Sequence, residues 1–125
     1  LSYHRFNEPA LNTFDPAEAA LKSKPPYQLL DTVDVKVERL DTLLSQHVPT
    51  HQAIDFLSVD VEGKDEEVLR SNDWQRFRPR FVLAETLRTD MLHLGDCPVV
   101  QLMLSVGYRP VAKAYNTSFF ERDAN

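Results

Sequence analysis

Two short apolar stretches, each ending in acid, constrain this chain most. Ile54-Asp55-Phe56-Leu57-Ser58-Val59-Asp60-Val61 is apolar on both faces before it reaches Asp60 and Glu62, and Phe81-Val82-Leu83-Ala84 is wholly apolar before Glu85. A strand facing water on one side would alternate, whereas strands covered on both sides read as continuous apolar runs, as in sheets sandwiched by helices. Between the two, Lys64 to Arg70 reads as a short charged helix with Val68 and Leu69 turned inward, and Trp74 and Phe77 read as core in a following turn. Strand, helix and strand at this spacing make a βαβ unit, so the two strands are expected to be parallel, adjacent and central, with both faces covered.

The flanking segments extend the alternation. Leu1 to Phe6 reads as a strand that begins abruptly, without an initiator Met, which leads to the expectation of a fragment whose upstream part is missing. Asn7 to Phe14 reads as a loop. Asp15-Pro16-Ala17-Glu18 then opens a helix, with Asp15 as cap, proline at the first helical position and Glu18 at capping-box spacing. Val33, Val35 and Val37 alternate with polar residues as a strand does, and Leu40, Leu43, Leu44 and Val48 follow helical spacing until Pro49. Pro98 opens a further helix whose stripe is Val99, Leu102, Met103 and Val106, and Gly107 closes it. Tyr108 to Tyr115 and Ser118 to Glu121 form two strands about Asn116-Thr117. The expected order is strand, helix, strand, helix, strand, helix, strand, helix, strand, strand. The fold class is α/β: one domain over residues 1–125 with a mainly parallel sheet and a terminal antiparallel hairpin.

Composition closes off other classes. A chain of 125 residues with 42% hydrophobic and 26% charged residues can hold a core without staples, and its 3 glycines exclude collagen and Gly-rich linkers. There is no internal repeat. No apolar run approaches the ~18 residues of a membrane span and no signal peptide opens the chain. Fourteen basic against nineteen acidic residues give −5 with no visible basic stripe, so no nucleic-acid partner is expected. One cysteine, Cys97, cannot form an internal disulfide, which fits a reducing cytosol and a cytoplasmic location.

Ligands in open α/β sheets sit beyond the carboxyl ends of the strands. Asp60, Glu62 and Glu85 are placed there, and Gly63 lets the chain turn into the next helix. A carboxylate in such a position can take a proton from a substrate hydroxyl or hold a metal. It can equally cap the helix that follows, whose first turn also carries Asp65 and Glu66. The other titratable candidates read blandly. His47 and His51 have helical metal-pair spacing interrupted by Pro49. His4 lies on a strand of unknown facing, His93 reads as a loop histidine, and Cys97 as a buried or capping thiol.

Val37-x-x-Leu40-Asp41-x-Leu43-Leu44 followed by Ile54 to Leu69, with Asp60-Val61-Glu62-Gly63 at its centre, resembles the central block of the FkbM-type S-adenosylmethionine-dependent methyltransferases. The apolar strand ending at Glu85, then a helix and Gly107-Tyr108, follow in the family's order, so the resemblance runs from about Val37 to Tyr108. Ser58 departs from the usual lysine and Ser71 from a frequent glycine. The Gly-rich loop and the ribose-holding acid that the family places upstream are not in the sequence.

The resemblance implies the second half of a Rossmann-like, doubly wound class I methyltransferase sheet. It also implies S-adenosylmethionine as cofactor with its principal binding loop outside this chain, and a hydroxyl of a small molecule or glycan as acceptor. Asp60 would face the methyl donor and act on the acceptor hydroxyl, with Glu62 and Glu85 as supports or metal ligands. The chain alone is then expected to be inactive, and an unfilled sheet edge to favour homo-oligomers. Two other readings stay open: a non-catalytic α/β binding or assembly module derived from a methyltransferase, and an unrelated domain with a metal at Asp60, Glu62 and Glu85.

Overall fold

The computed structural model describes residues 1–87 and 89–124. Its elements come in the expected order: β1 (Ser2–Phe6), α1 (Pro16–Lys22), β2 (Leu29–Asp34), α2 (Leu40–His47), β3 (Phe56–Val59), α3 (Asp65–Arg70), β4 (Phe81–Glu85), α4 (Pro98–Ser105), β5 (Tyr108–Ala114) and β6 (Thr117–Arg122). Single-turn 3-10 helices lie at Pro9–Leu11 and Leu94–Asp96. Among the described residues no helix is long and apolar enough to cross a membrane.

The chain divides into two compact units. The first holds Leu1–Val37 and Glu62–Lys64. In it β1 and β2 pair antiparallel, Phe6 and Ala19 are buried, and the Tyr3 and Phe14 rings stand 4.7 Å apart. Asp15 caps α1 as its sequence demands, its carboxylate accepting from the Ala17 and Glu18 amides. The second strand lies earlier than the valine alternation suggested. It is Leu29–Asp34, with Leu29 and Leu30 exposed.

The second unit holds Glu38–Val61 and the chain from Asp65 onward. Its sheet has the order β3-β4-β6-β5. Val59, Val82, Ala84, Ser118 and Phe120 share one buried face, against which Leu69 of α3 and Val99, Val100, Leu102 and Met103 of α4 pack. Trp74 meets Tyr108 edge-on at 5.2 Å, and the Trp74 indole donates to the Leu69 carbonyl. Ser71 ties the end of α3 to the start of α2: its hydroxyl accepts from the Leu40 amide at 2.9 Å, because Arg39 offers no cap of its own.

The structure corrects two expectations about the sheet. It is mixed, not mainly parallel: of its three ladders only β3–β4 is parallel, while β4–β6 and β5–β6 are antiparallel. The cause is the tight turn at Tyr115-Asn116. It reverses the chain and lays β6 between β4 and β5, so both neighbours of β6 run against it. The other correction concerns β3, which is adjacent to β4 but lies at the edge of the sheet. Phe56 is 65% exposed, so the apolar run on this strand is not covered on both faces.

Candidate functional site at the strand ends

Asp60 follows the last residue of β3, and Glu85 is the last residue of β4. Val59 pairs with Ala84 as the last pair of the ladder, and Asp60 and Glu85 are the residues that follow it on the two segments. In-register residues of a parallel pair point to the same face. Val59 and Ala84 face the buried side, and Glu85, the next residue of β4, faces the other. Asp60 is exposed and Glu85 half-buried. Glu62 groups with the first unit. It has φ +52 and is followed by Gly63 at φ +87. A left-handed glutamate costs on the order of 1–2 kcal/mol, so the turn after β3 stores strain that a glycine would not. Gly63 is required for its backbone angle rather than for space, since a Cβ there would meet nothing within 4 Å.

Behind these acids lies a polar layer that sequence reading did not pick out as a site. Asp65 opens α3 and is 3% exposed. One carboxylate oxygen accepts from the Glu85 amide at 2.9 Å, and the other has no partner. Burial pushes its carboxyl above the ordinary range, opposed first by the Glu85 amide and then by that of Val61. Asp65 thus fixes the end of β4 from the helix side. Thr86, buried just beyond Glu85, stands with its hydroxyl 2.7 Å from that of Ser118. The Lys113 ammonium donates to the Thr86 hydroxyl at 2.6 Å and to its carbonyl at 3.1 Å. The signal for Lys113 was the hairpin register, which sets Lys113 opposite Ser118 on the face of Ala84.

The remaining candidates fall where the bland readings put them. His47 ends α2 and His51 lies beyond Pro49 at φ +67, so the two share no helix face. His93 is exposed, its ring 2.8 Å from Asp90, whose carboxylate also accepts from the Leu92 and His93 amides. These bonds, the His93 amide foremost, hold the Asp90 carboxyl below its ordinary range. Cys97 is a buried free thiol at the start of α4. Among the described residues, no group of three or more His, Cys, Asp or Glu side chains is placed to hold a metal ion.

The strand ends can therefore present an accessible carboxylate, Asp60, beside a second one whose main chain is anchored by Asp65. Comparison with known families shows which family the chain belongs to. The profile of the FkbM methyltransferase domain matches residues 4–110. The chain belongs to that family. Neither curated proteins nor solved structures gave a match. The FkbM match reaches upstream of the recognisable motifs and spans parts of both units, ending within β5. It supports methyltransferase activity for this chain and S-adenosylmethionine as the methyl donor to be tested against its residues.

The residues fit that donor in part. Asp60 is an exposed acceptor at a strand carboxyl end, where a ligand of an open sheet sits. The three glycines, Gly63, Gly95 and Gly107, are scattered, and only Gly63 lies in a turn directly after a strand of the parallel pair, so they make no Gly-rich loop to hold the donor.

Proposed function

We propose that the chain is the acceptor-side part of an S-adenosylmethionine-dependent O-methyltransferase of the FkbM family, acting on a hydroxyl of a small molecule or glycan. The observation that supports this is the parallel register of β3 and β4, whose last pair, Val59 with Ala84, directly precedes Asp60 and Glu85. The reversed β6 between β4 and β5 supports reading the sheet as the second half of a methyltransferase sheet.

Bound S-adenosylmethionine would supply a methyl group on a positively charged sulfur. The chain's part is positional and proton-accepting. In-line displacement needs the acceptor oxygen close to the methyl carbon and aligned with the breaking bond, and holding it there lowers the barrier most. Asp60 orients the acceptor hydroxyl and takes its proton as the new O–C bond forms. Glu85 lies beside it as a second acceptor for the substrate's hydroxyls. A supporting role for Glu62 rests on its place in the strained turn after β3 alone.

The test is Asp60→Asn in the whole enzyme, a change that keeps hydrogen-bonding capacity and removes the base. Turnover is expected to fall roughly 10²–10⁴-fold with the melting temperature nearly unchanged. Turnover preserved within a few-fold would make Asp60 a structural residue and favour a binding or assembly module over an enzyme using this carboxylate.

A further inference from the structure

The amino ends of β3 and β4 differ sharply from their acidic carboxyl ends. Arg76, Arg78 and Arg80 recur at every second position in the segment leading into β4, and Arg122 ends β6, which runs against β4 and so finishes at its start. Main-chain contacts lock this corner together. The Arg80 amide donates to the Ile54 carbonyl at 2.9 Å, the Arg122 amide to the Arg80 carbonyl at 3.0 Å, and the Arg122 guanidinium to the Arg78 carbonyl at 2.9 Å. The four arginines and His51 line one open groove of about 360 Å³. A wider opening continues from Arg78, Arg80 and Arg122 toward Glu121 and Asp123.

The guanidiniums are held in place without being neutralised. Arg78 donates through Nη1 to the Trp74 and Val106 carbonyls, at 2.9 and 3.2 Å, and lies 5.6 Å over the Tyr108 ring. Gly107 leaves it room: a Cβ there would stand 3.2 Å from Arg78 Nη2. Arg76 lies over Phe77 at 4.7 Å and donates to the Ser45 hydroxyl, and Arg80 lies over Phe81 at 5.0 Å. Elsewhere in the described chain each arginine has a carboxylate: Arg5 has Asp31, Arg39 has Asp41, Arg70 has Glu66 and Arg109 has Glu121. Among the described residues these four have none at ion-pair distance, although the chain carries five more acids than bases. Of the acids nearby, Asp41 and Glu121 are paired with Arg39 and Arg109, and Asp55, Asp73 and Asp123 form no ion pair with the four arginines among the described residues.

We infer that this groove binds the diphosphate group of a soluble ligand, at a site separate from the Asp60 end. A guanidinium carries five N–H donors, so each of these arginines keeps donors beyond the bonds it makes to the protein, and such donors match phosphate oxygens in pairs. Four like charges gathered with no carboxylate at ion-pair distance repel one another, and a polyanion reduces that cost. The arginines come from two segments, the loop before β4 and the end of β6, and two linked phosphates offer them more oxygens and more charge than one does. The β4 strand separates the two ends by roughly 16 Å, five residues at about 3.3 Å each. The groove is thus independent of the methyl-transfer reading.

Calorimetric titration with inorganic pyrophosphate, against orthophosphate, tests this. Saturable pyrophosphate binding is expected, tighter than that of orthophosphate and weakening steeply with added salt. Arg80→Gln and Arg122→Gln should each weaken it roughly tenfold to a hundredfold, while Arg70→Gln on α3 leaves it unchanged. Arg80 makes no side-chain hydrogen bond among the described residues, so its replacement should not disturb folding, and an unchanged melting temperature would verify that. Tighter binding of ADP than of pyrophosphate would place the diphosphate on a nucleotide. Tighter binding of vesicles containing phosphatidylinositol 4,5-bisphosphate would overturn a soluble source. Absence of saturable pyrophosphate binding, pyrophosphate binding indifferent to Arg80→Gln, or tighter binding of a short single-stranded RNA would overturn the inference.

Discussion

Asp65 carries a carboxylate into a buried position with one oxygen bonded and the other unpartnered. Its carboxyl is raised above the ordinary 3.8, chiefly by desolvation. Protonation is therefore easier in the folded than in the unfolded chain, and this group's contribution to stability is present at low pH and declines as pH rises from 3.8 through the raised value. Asp65→Asn keeps an acceptor for the Glu85 amide and removes the titration. Its melting temperature is expected to gain on that of the unaltered protein as pH rises through that window, measured as a pair of thermal melts at each pH. A constant difference would mean that the buried charge is compensated. Tyr108 makes the opposite bargain. Its hydroxyl, fully buried and pushed up to about 12 by burial, donates to the Pro79 carbonyl at 2.7 Å. Tyr108→Phe leaves that carbonyl unpaired and is expected to cost about 1–3 kcal/mol in urea unfolding, with no change across neutral pH.

Among the elements, the β5–β6 hairpin turns on Tyr115, which is 98% exposed at φ +52. A bulky residue gains nothing from that conformation, and asparagine tolerates it better. Tyr115→Asn is expected to raise stability by up to about 1 kcal/mol; a loss would show that the turn is held by more than its backbone angles. The elements legible in the sequence were those with a strong local signal. Asp15-Pro16 marked α1, the unbroken apolar run marked β4, and the Val99-Leu102-Met103 stripe closed by Gly107 at φ +82 marked α4. Edge and centre were not legible, because Ile54 to Val61 is apolar enough for either position and only the strand order, with β4 as the one neighbour of β3 among the described residues, decides between them. The strand-end acids were visible from position alone. Lys113 and Thr86 were hidden because their meeting depends on long-range register, and Arg76, Arg78 and Arg80 because net charge averages them away.

At the scale of the molecule, the exposed edge of the sheet invites pairing. The β3 edge presents Phe56 beside unpaired main-chain groups, a combination that favours association with other strands. Light scattering is expected to show a rising apparent mass as the protein is concentrated, and Phe56→Lys to reduce it. A monomer at every concentration would contradict this. The proposed function puts methyl transfer at the carboxyl ends of β3 and β4, and the chain's membership of the FkbM family supports a methyltransferase reading. Amide-resolved NMR during titration with S-adenosylmethionine tests that location most directly. With no Gly-rich cradle among its three glycines, the chain should bind weakly, with shifts confined to the residues around Asp60, Val61, Glu85 and Thr86. Tight binding, or shifts centred elsewhere in the chain, would contradict the placement of the donor at Asp60.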